Sequence, residues 1–249
     1  MRMKYFLYIL ILLNSSLLFG QVITNFSEKI YIQESGSAIV ALSFEFQNDS
    51  SESYLLLPWN FKAESIDMNY AKFTSLNGST KAITGELVNI HSNYFLRLSI
   101  DTLYKKHKYN VSFLISGYYD FAKEEIGDYG NYSLKFTYAN SSIPVIKDFT
   151  SSVILPEGYI VGSVVESIPK QKSEESIPPY KLFRERGLNG ITLSTEKLII
   201  GENVYLNFKF KSAEKPYYFL IVLIAIAVLY LIFFRDVLKN GNNGNDKEK

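Results

Sequence analysis

The segment "SAIVALSFEFQ", residues 37–47, alternates apolar and polar side chains with a period of two. One face of such an extended chain carries four large apolar side chains, Val40, Leu42, Phe44 and Phe46. This spacing is typical of a strand that is buried on one side only. The segment therefore predicts a β-strand whose apolar face packs against a core.

The same period recurs along the middle of the chain. In "KYNVSFLISGYY" (108–119) and "NVYLNFKF" (203–210), the predicted inward side chains are Tyr109, Val111, Phe113, Ile115, Val204, Leu206, Phe208 and Phe210. Similar runs cover 29–34, 53–57, 64–70, 81–90, 93–100, 131–139, 149–156, 160–168 and 190–194. Short segments rich in Gly, Asn, Asp, Ser and Pro separate them, as turns do.

About a dozen short strands without helical patterns between them predict an all-β fold, built as β-sandwiches of the Ig-like kind. Because the strand-rich stretch 21–214 is long for one sandwich, we expect two sandwiches in tandem. The first covers 21–118, a junction covers 119–130, and a membrane-proximal domain covers 131–214. A single elaborated sandwich is the alternative.

The beginning of the chain, "MRMKYFLYILILLNSSLLFG", has the pattern of an export signal. Arg2 and Lys4 form a basic start, and a short apolar run follows them. Residues 1–20 are therefore predicted to be a signal peptide, cut after Gly20. An uncleaved anchor is the alternative, because Leu18 is larger than a signal peptidase prefers at that position.

A second apolar run, 217–234, contains 18 residues without a charge or a proline. As a helix it would be about 27 Å long, close to the roughly 30 Å hydrocarbon core of a bilayer. It predicts a single transmembrane helix that binds the lipid bilayer. Arg235 and Lys239 follow it, and positive flanks favour the cytoplasmic side. We therefore expect a single-pass protein of the cell membrane, with 21–215 outside and a short disordered cytoplasmic tail at 235–249.

Composition excludes several kinds of chemistry. The chain has no cysteine, so disulfides, thiolate metal sites and cysteine nucleophiles are excluded. Its net charge of +1 gives no indication of a nucleic-acid partner. His91 and His107 lack metal-ligand spacing and are interpreted as surface or strand-end residues. No catalytic, cofactor or metal residue is predicted, and the favoured function is a non-enzymatic domain that binds a surface protein or glycan, or accompanies a membrane complex.

Two polar segments stand out as candidate contact surfaces. The first, 117–132, is rich in aromatic residues and acids; the second, 169–187, carries many charges and three prolines and is predicted to be a long loop. The predicted partner contacts are Tyr118, Tyr119, Phe121, Tyr129, Tyr180, Phe183, Arg184 and Arg186. Alternatively, the first segment fills a seam between domains and the second is only mobile. A membrane-tethered glycan hydrolase using Asp120, Glu124 or Glu125 is the competing function.

Six N-x-[ST] sequons lie in the predicted exported part, at Asn25, Asn48, Asn77, Asn110, Asn131 and Asn140. About two would be expected by chance from the composition. They are candidate glycosylation sites, because a transferase outside the cytoplasm can reach them.

Overall fold

The computed structural model describes residues 21–48, 52–61, 66–77, 79–101, 103–126, 130–142, 144–169, 178–213 and 217–241. Fourteen strands and one helix occur within them. They are β1 (Gln21–Ile32), β2 (Ala38–Asn48), β3 (Tyr54–Pro58), β4 (Ile66–Asn77), β5 (Ser79–Ala82), β6 (Gly85–Ile90), β7 (Asn93–Ser99), β8 (Lys106–Ile115), β9 (Asn131–Ala139), β10 (Val145–Ile154), β11 (Tyr159–Ile168), β12 (Tyr180–Glu185), β13 (Leu188–Leu198), β14 (Asn203–Ser212) and α1 (Tyr217–Gly241).

The all-β prediction is confirmed, and so are the faces on which the strands pack. Every side chain predicted to point inward from β2, β8 and β14 is buried. Phe44 stacks near Phe26 of β1, and Phe208 lies beside Phe210 within β14. The two-residue period therefore located the apolar core correctly along these strands.

The strands form three sheets. The largest has eight strands in the order β12-β13-β10-β1-β2-β8-β4-β5. Two three-stranded sheets have the orders β11-β14-β9 and β3-β7-β6. Most neighbours are antiparallel, but β1 and β10 pair in parallel, with Glu28 beside Ser151.

One hydrophobic core joins all three sheets. Tyr138 of β9 contacts Phe26 of β1 and Phe149 of β10, and Trp59, just after β3, contacts Phe113 of β8. The described residues up to Ser212 form one compact unit.

The structure does not divide at 119–130. The eight-stranded sheet contains β1, β2, β4, β5 and β8 from before that segment and β10, β12 and β13 from after it. Because β1 is hydrogen-bonded to β10 along most of its length, the two halves share a sheet. This arrangement agrees with the alternative of a single elaborated unit.

The predicted loop at 169–187 is wrong in its second half. Residues Tyr180–Glu185 form β12, which pairs with β13 through a tight turn at Arg186 and Gly187. Both turn residues have positive φ, 51° and 87°, as a type I′ hairpin turn requires. Residues 170–177 lie outside the described part of the chain.

A bulge in β1 sets which of its residues face the core. The pairing with β2 shifts between Thr24 and Ser27, where Asn25 has a φ of 51° and is exposed. Ile23 is buried before the bulge, and Phe26 and Glu28 are buried after it. The extra residue at the bulge changes which alternate residues of the strand point to the core. After the bulge, the carboxyl group of Glu28 lies in the core beside the apolar side chains.

The chain after Ser212 forms a second unit. The helix predicted at 217–234 is present as α1 and extends to Gly241. Within the described residues, no helix combines the length and the apolar character needed to cross a membrane.

Candidate functional site

A groove of about 530 Å³ runs beside β9. Its floor is the stretch of β9 from Ser133 to Thr137, one wall is the segment 117–124, and one end is formed by Asn60 and Phe61. β9 is the outer strand of its sheet, so the groove lies along a sheet edge. Within the described residues, the backbone of that edge pairs with another backbone segment only near its start, where Glu125 bridges to Tyr132.

Two side chains cap the edge of β9. The hydroxyl of Tyr119 donates to the carbonyl of Ser133 at 2.9 Å, and Oδ1 of Asn60 accepts from the backbone N–H of Ala139 at 3.0 Å. Exposed strand edges invite pairing with other chains, and natural proteins protect them in such ways. Between these two caps the edge is open to the groove.

Tyr119 is fixed by a close backbone contact with the β1–β2 turn. Its N–H donates to the carbonyl of Gly36 at 2.9 Å. A Cβ on Gly36 would lie only 2.2 Å from the carbonyl oxygen of Tyr119, and the φ of Gly36 is 79°. Only glycine satisfies both conditions, so this turn positions the wall of the groove.

The aromatic residues of 117–132 serve mainly as packing. Tyr119 is buried, and Phe121 contacts Tyr132, Tyr159 and Phe210 at ring-centroid distances of 5.4 to 6.3 Å. These contacts pack Phe121 against β9, β11 and β14 within the one compact unit. Among the predicted contact residues, the structure brings Tyr118 and Tyr119 to the groove. Tyr129 lies outside the described residues.

The remaining predicted contacts belong to another edge of the fold. Tyr180, Phe183 and Arg184 lie on β12, at one end of the eight-stranded sheet, and Arg186 is in the turn that follows. Tyr180 and Phe183 are half-buried, and the two arginines are exposed. The described parts of the two polar segments therefore lie at different sheet edges.

A buried carboxyl group lies in the core. Glu28 is almost completely buried, and Oε2 accepts a hydrogen bond of 2.8 Å from the Ser151 hydroxyl. Burial raises the pKa of Glu28 from 4.5 to about 7, against the opposing effect of the Ser151 bond. Burial and the charge of Glu28 together raise the pKa values of Tyr118 and Tyr138. The sequence analysis did not predict that Glu28 is buried, although it lies two residues before the apolar Ile30 on the same face of β1.

The acids of the competing hydrolase hypothesis lie in water. Asp120, Glu124 and Glu125 are all exposed. Oδ1 of Asp120 accepts from the backbone of Ala122 and Lys123, and Oε1 of Glu125 accepts from the backbone of Gly130. Acid–base catalysis usually depends on a carboxyl group shielded from solvent. These positions therefore support turn-stabilising roles.

Neither histidine has a metal-site geometry. His91 is exposed, and His107 lies at the start of β8, which agrees with the strand-end interpretation, although its side chain is buried with Nε2 2.8 Å from the carbonyl oxygen of Tyr104. His107 lies two residues before Tyr109 on β8, so both side chains point to the buried face of the strand. Within the described residues, no three His, Cys, Asp or Glu side chains form a group that could hold a metal ion.

Two of the sequon asparagines are buried. Asn140 is fully buried, and its Nδ2 donates to the carbonyls of Pro144 and Leu198, both at 3.0 Å. Its Oδ1 accepts from the backbone and hydroxyl of Ser142. Nδ2 of Asn48 likewise donates to a backbone carbonyl at 3.0 Å. Because a glycan replaces one of the two Nδ2 hydrogens, it would remove at least one of the two bonds of Asn140, and on either residue it would be attached to a buried nitrogen.

The other sequons differ in access. Asn25 is exposed at the bulge of β1, whereas Asn110 and Asn131 are half-buried. The side chain of Asn77 lies outside the described residues. Asn25 is therefore the most accessible of these side chains.

No protein-family model matches the chain, and no curated protein sequence matches it. Among solved structures, leukotriene A4 hydrolase from Saccharomyces cerevisiae is similar with a TM-score of 0.46 and 8% identity, over 76% of this chain and 29% of that one. The M1 zinc metallopeptidase from Deinococcus radiodurans gives 0.39 and 8%, over 78% and 42%. The chain spans less than half of each structure, and similarity at this level carries no argument about function.

Proposed function

We propose that the chain is an exported, membrane-anchored and non-enzymatic binding protein with a β-sandwich domain. In this proposal the groove beside β9 contacts a protein or glycan partner at the cell surface. The observation that carries the proposal is the open stretch of sheet edge between the caps at Ser133 and Ala139. An exposed sheet edge is one of the recurring surfaces to which proteins bind extended peptides.

The proposed anchor rests on the uncharged apolar sequence of 217–234, since no helix among the described residues qualifies as a membrane span. Residues 217–234 carry no charge, and the large apolar side chains described on α1, from Ile221 to Ile232, are 48 to 67% exposed. Burying such a surface requires an apolar environment, and a bilayer provides one on every side of a helix. Four residues separate β14 from α1 in the sequence.

Protease treatment of intact cells tests the topology. Added protease should remove the domain at 21–212 and spare an epitope tag placed after Lys249. Loss of the tag with retention of the domain would reverse the orientation. Retention of both, under conditions that digest a known surface protein, would show that the domain is not exported.

Crosslinking in cells tests the groove. A photo-reactive amino acid at Lys123, which lines the groove, should form adducts with a partner. The matched control is the same amino acid at Lys181, an exposed lysine on β12 at a different sheet edge. Equal adducts at both positions, or none at Lys123, would contradict the proposed binding surface.

A further inference from the structure

The open edge of β9 presents backbone groups from two identifiable residues. In a strand, the N–H and C=O of one residue point to the same side, and successive residues alternate. The carbonyl of Ser133 and the N–H of Ala139 both point away from β14, because Tyr119 and Asn60 bind them from the groove side. By this parity, the backbone groups of Lys135 and Thr137 also point into the groove.

The rest of the register agrees with this assignment. The residues of opposite parity face β14, as shown by the N–H of Asn140, which donates to the carbonyl of Glu202 at 2.9 Å just past the end of β9. Within the described residues, no hydrogen bond is formed by the backbone N–H and C=O groups of Lys135 and Thr137 that face the groove. The open stretch between Ser133 and Ala139 is about 20 Å long at roughly 3.3 Å per residue. It can accommodate one short extended peptide.

A second observation points to a ligand in the groove. Nδ2 of Asn60 is buried and has no hydrogen-bond partner in the described part of the chain. Because Oδ1 of the same amide accepts from Ala139, Nδ2 remains as a donor beside the groove. Buried donors are normally paired, so a carbonyl from a bound chain would complete this site.

The side chains around the groove indicate what kind of peptide fits. The inner side presents Phe61 and Tyr118, which favour apolar residues. The groove itself is lined by two lysines, Lys123 and Lys135, and by two acids, Asp120 and Glu124. On the outer face of the sheet, the exposed Lys135 lies on the edge strand β9, and the exposed Lys209 and Lys211 lie on the neighbouring strand β14. These outer lysines favour acidic residues at the outward-pointing positions of an added strand.

We propose that an extended peptide alternating acidic and apolar residues adds to β9 as a further strand, bonded to the backbone of Lys135 and Thr137. This inference rests on the proposed binding function, since it specifies the partner of the same groove. Backbone pairing supplies affinity, and the alternating side chains supply selectivity. Pairing with a second copy of this chain is an outcome that the experiment distinguishes.

The test uses the purified full chain in detergent micelles and a labelled seven-residue peptide that alternates glutamate and valine. Fluorescence anisotropy should show saturable binding. Thr137→Pro removes an N–H that points to the groove and leaves the bonds to β14, because proline is tolerated on such edges. It should weaken binding about tenfold or more, whereas Thr137→Ala, which keeps the N–H, should bind like the parent.

Two further measurements make the result independent of the stability of the proline variant. Methylating the peptide nitrogens at alternate positions should abolish binding for one set and spare the other, since only one set faces β9. Lys135→Glu should weaken binding of the glutamate peptide and strengthen binding of its lysine counterpart.

Absence of saturable peptide binding, or equal binding by both methylated sets, would overturn the proposal. So would dimerisation of the peptide-free protein that Thr137→Pro abolishes, because the edge would then pair with a second copy. If adducts form at Lys123 in cells while the peptide does not bind, only the strand-addition inference fails. If the peptide binds but Lys123 gives no adducts in cells, the proposed function fails.

Discussion

Replacing Glu28 with glutamine should stabilise the protein above neutral pH. The carboxyl group is buried in the core with a pKa raised from 4.5 to about 7, so ionising it in the folded state is unfavourable. Since one pKa unit corresponds to about 1.4 kcal/mol, the folded state loses about 3 kcal/mol once the group is ionised. Glutamine cannot ionise, and its Oε1 can still accept the hydrogen bond from Ser151.

The direction of the pH dependence follows from proton binding. Between pH 4.5 and about 7 the folded state holds a proton on Glu28 that the unfolded state has released. The contribution of this group to stability is therefore fully present below pH 4.5 and is lost as the pH rises through about 7. Other groups titrate in the same range, so the difference between the parent and Glu28→Gln is the informative quantity.

Urea unfolding of both proteins at several pH values from 4 to 8 measures that difference. At pH 4, the difference in the free energy of unfolding between the two proteins reports only the exchange of carboxyl for amide. Towards pH 8 this difference should grow by about 3 kcal/mol, which reports the ionisation of Glu28. Ser151→Ala provides the control, because removing a bond that lowers the pKa of Glu28 should move the transition to higher pH. A gap that does not change with pH would refute a buried, neutral Glu28.

Three other substitutions test the packing. Gly36→Ala should lower stability by about 1–3 kcal/mol and more than Gly158→Ala, since both glycines have φ near 80° but only Gly36 would clash; equal melting temperatures would contradict this. Asn140→Ala should cost about 2–3 kcal/mol in urea unfolding by leaving buried carbonyls unpaired, and a loss below about 0.5 kcal/mol would contradict the network. Phe149→Ala should cost about 3–5 kcal/mol in the same assay, because its ring packs on Phe26; a smaller loss would place it outside the core.

The strands were predictable because their signal is local. Each of these strands has one face on the core, so its apolar residues alternate with polar ones. Val40 and Val111 belong to the apolar sets, and both are buried. The hairpin turn at Arg186 and Gly187 was missed because two-residue turns are recognised most readily from Asn-Gly and Asp-Gly pairs. Without that turn, the charges around β12 looked like those of a loop.

The candidate site could not be read from the sequence because it depends on strand order. β9 has the same alternating pattern whether it lies in the middle of a sheet or at its edge, and only the pairing of distant strands decides which. The burial of Glu28 depends on a bulge at Asn25, which reverses the phase without leaving a distinctive residue pattern. The one signal in the sequence was that Glu28 lies two residues before the apolar Ile30, on the same face of the strand.

The central position of β1 has a consequence for how the protein is made. β1 is the first strand of the domain to leave the ribosome, yet one of its two neighbours is β10, where Ser27 pairs with Thr150. Pairings between residues so distant in sequence form slowly, because a long loop must close first. The sheet therefore cannot be completed until more than half of the chain has been synthesised. Until then, the backbone N–H and C=O groups on one edge of β1 stay unpaired, and such an edge exposes an incomplete chain to aggregation.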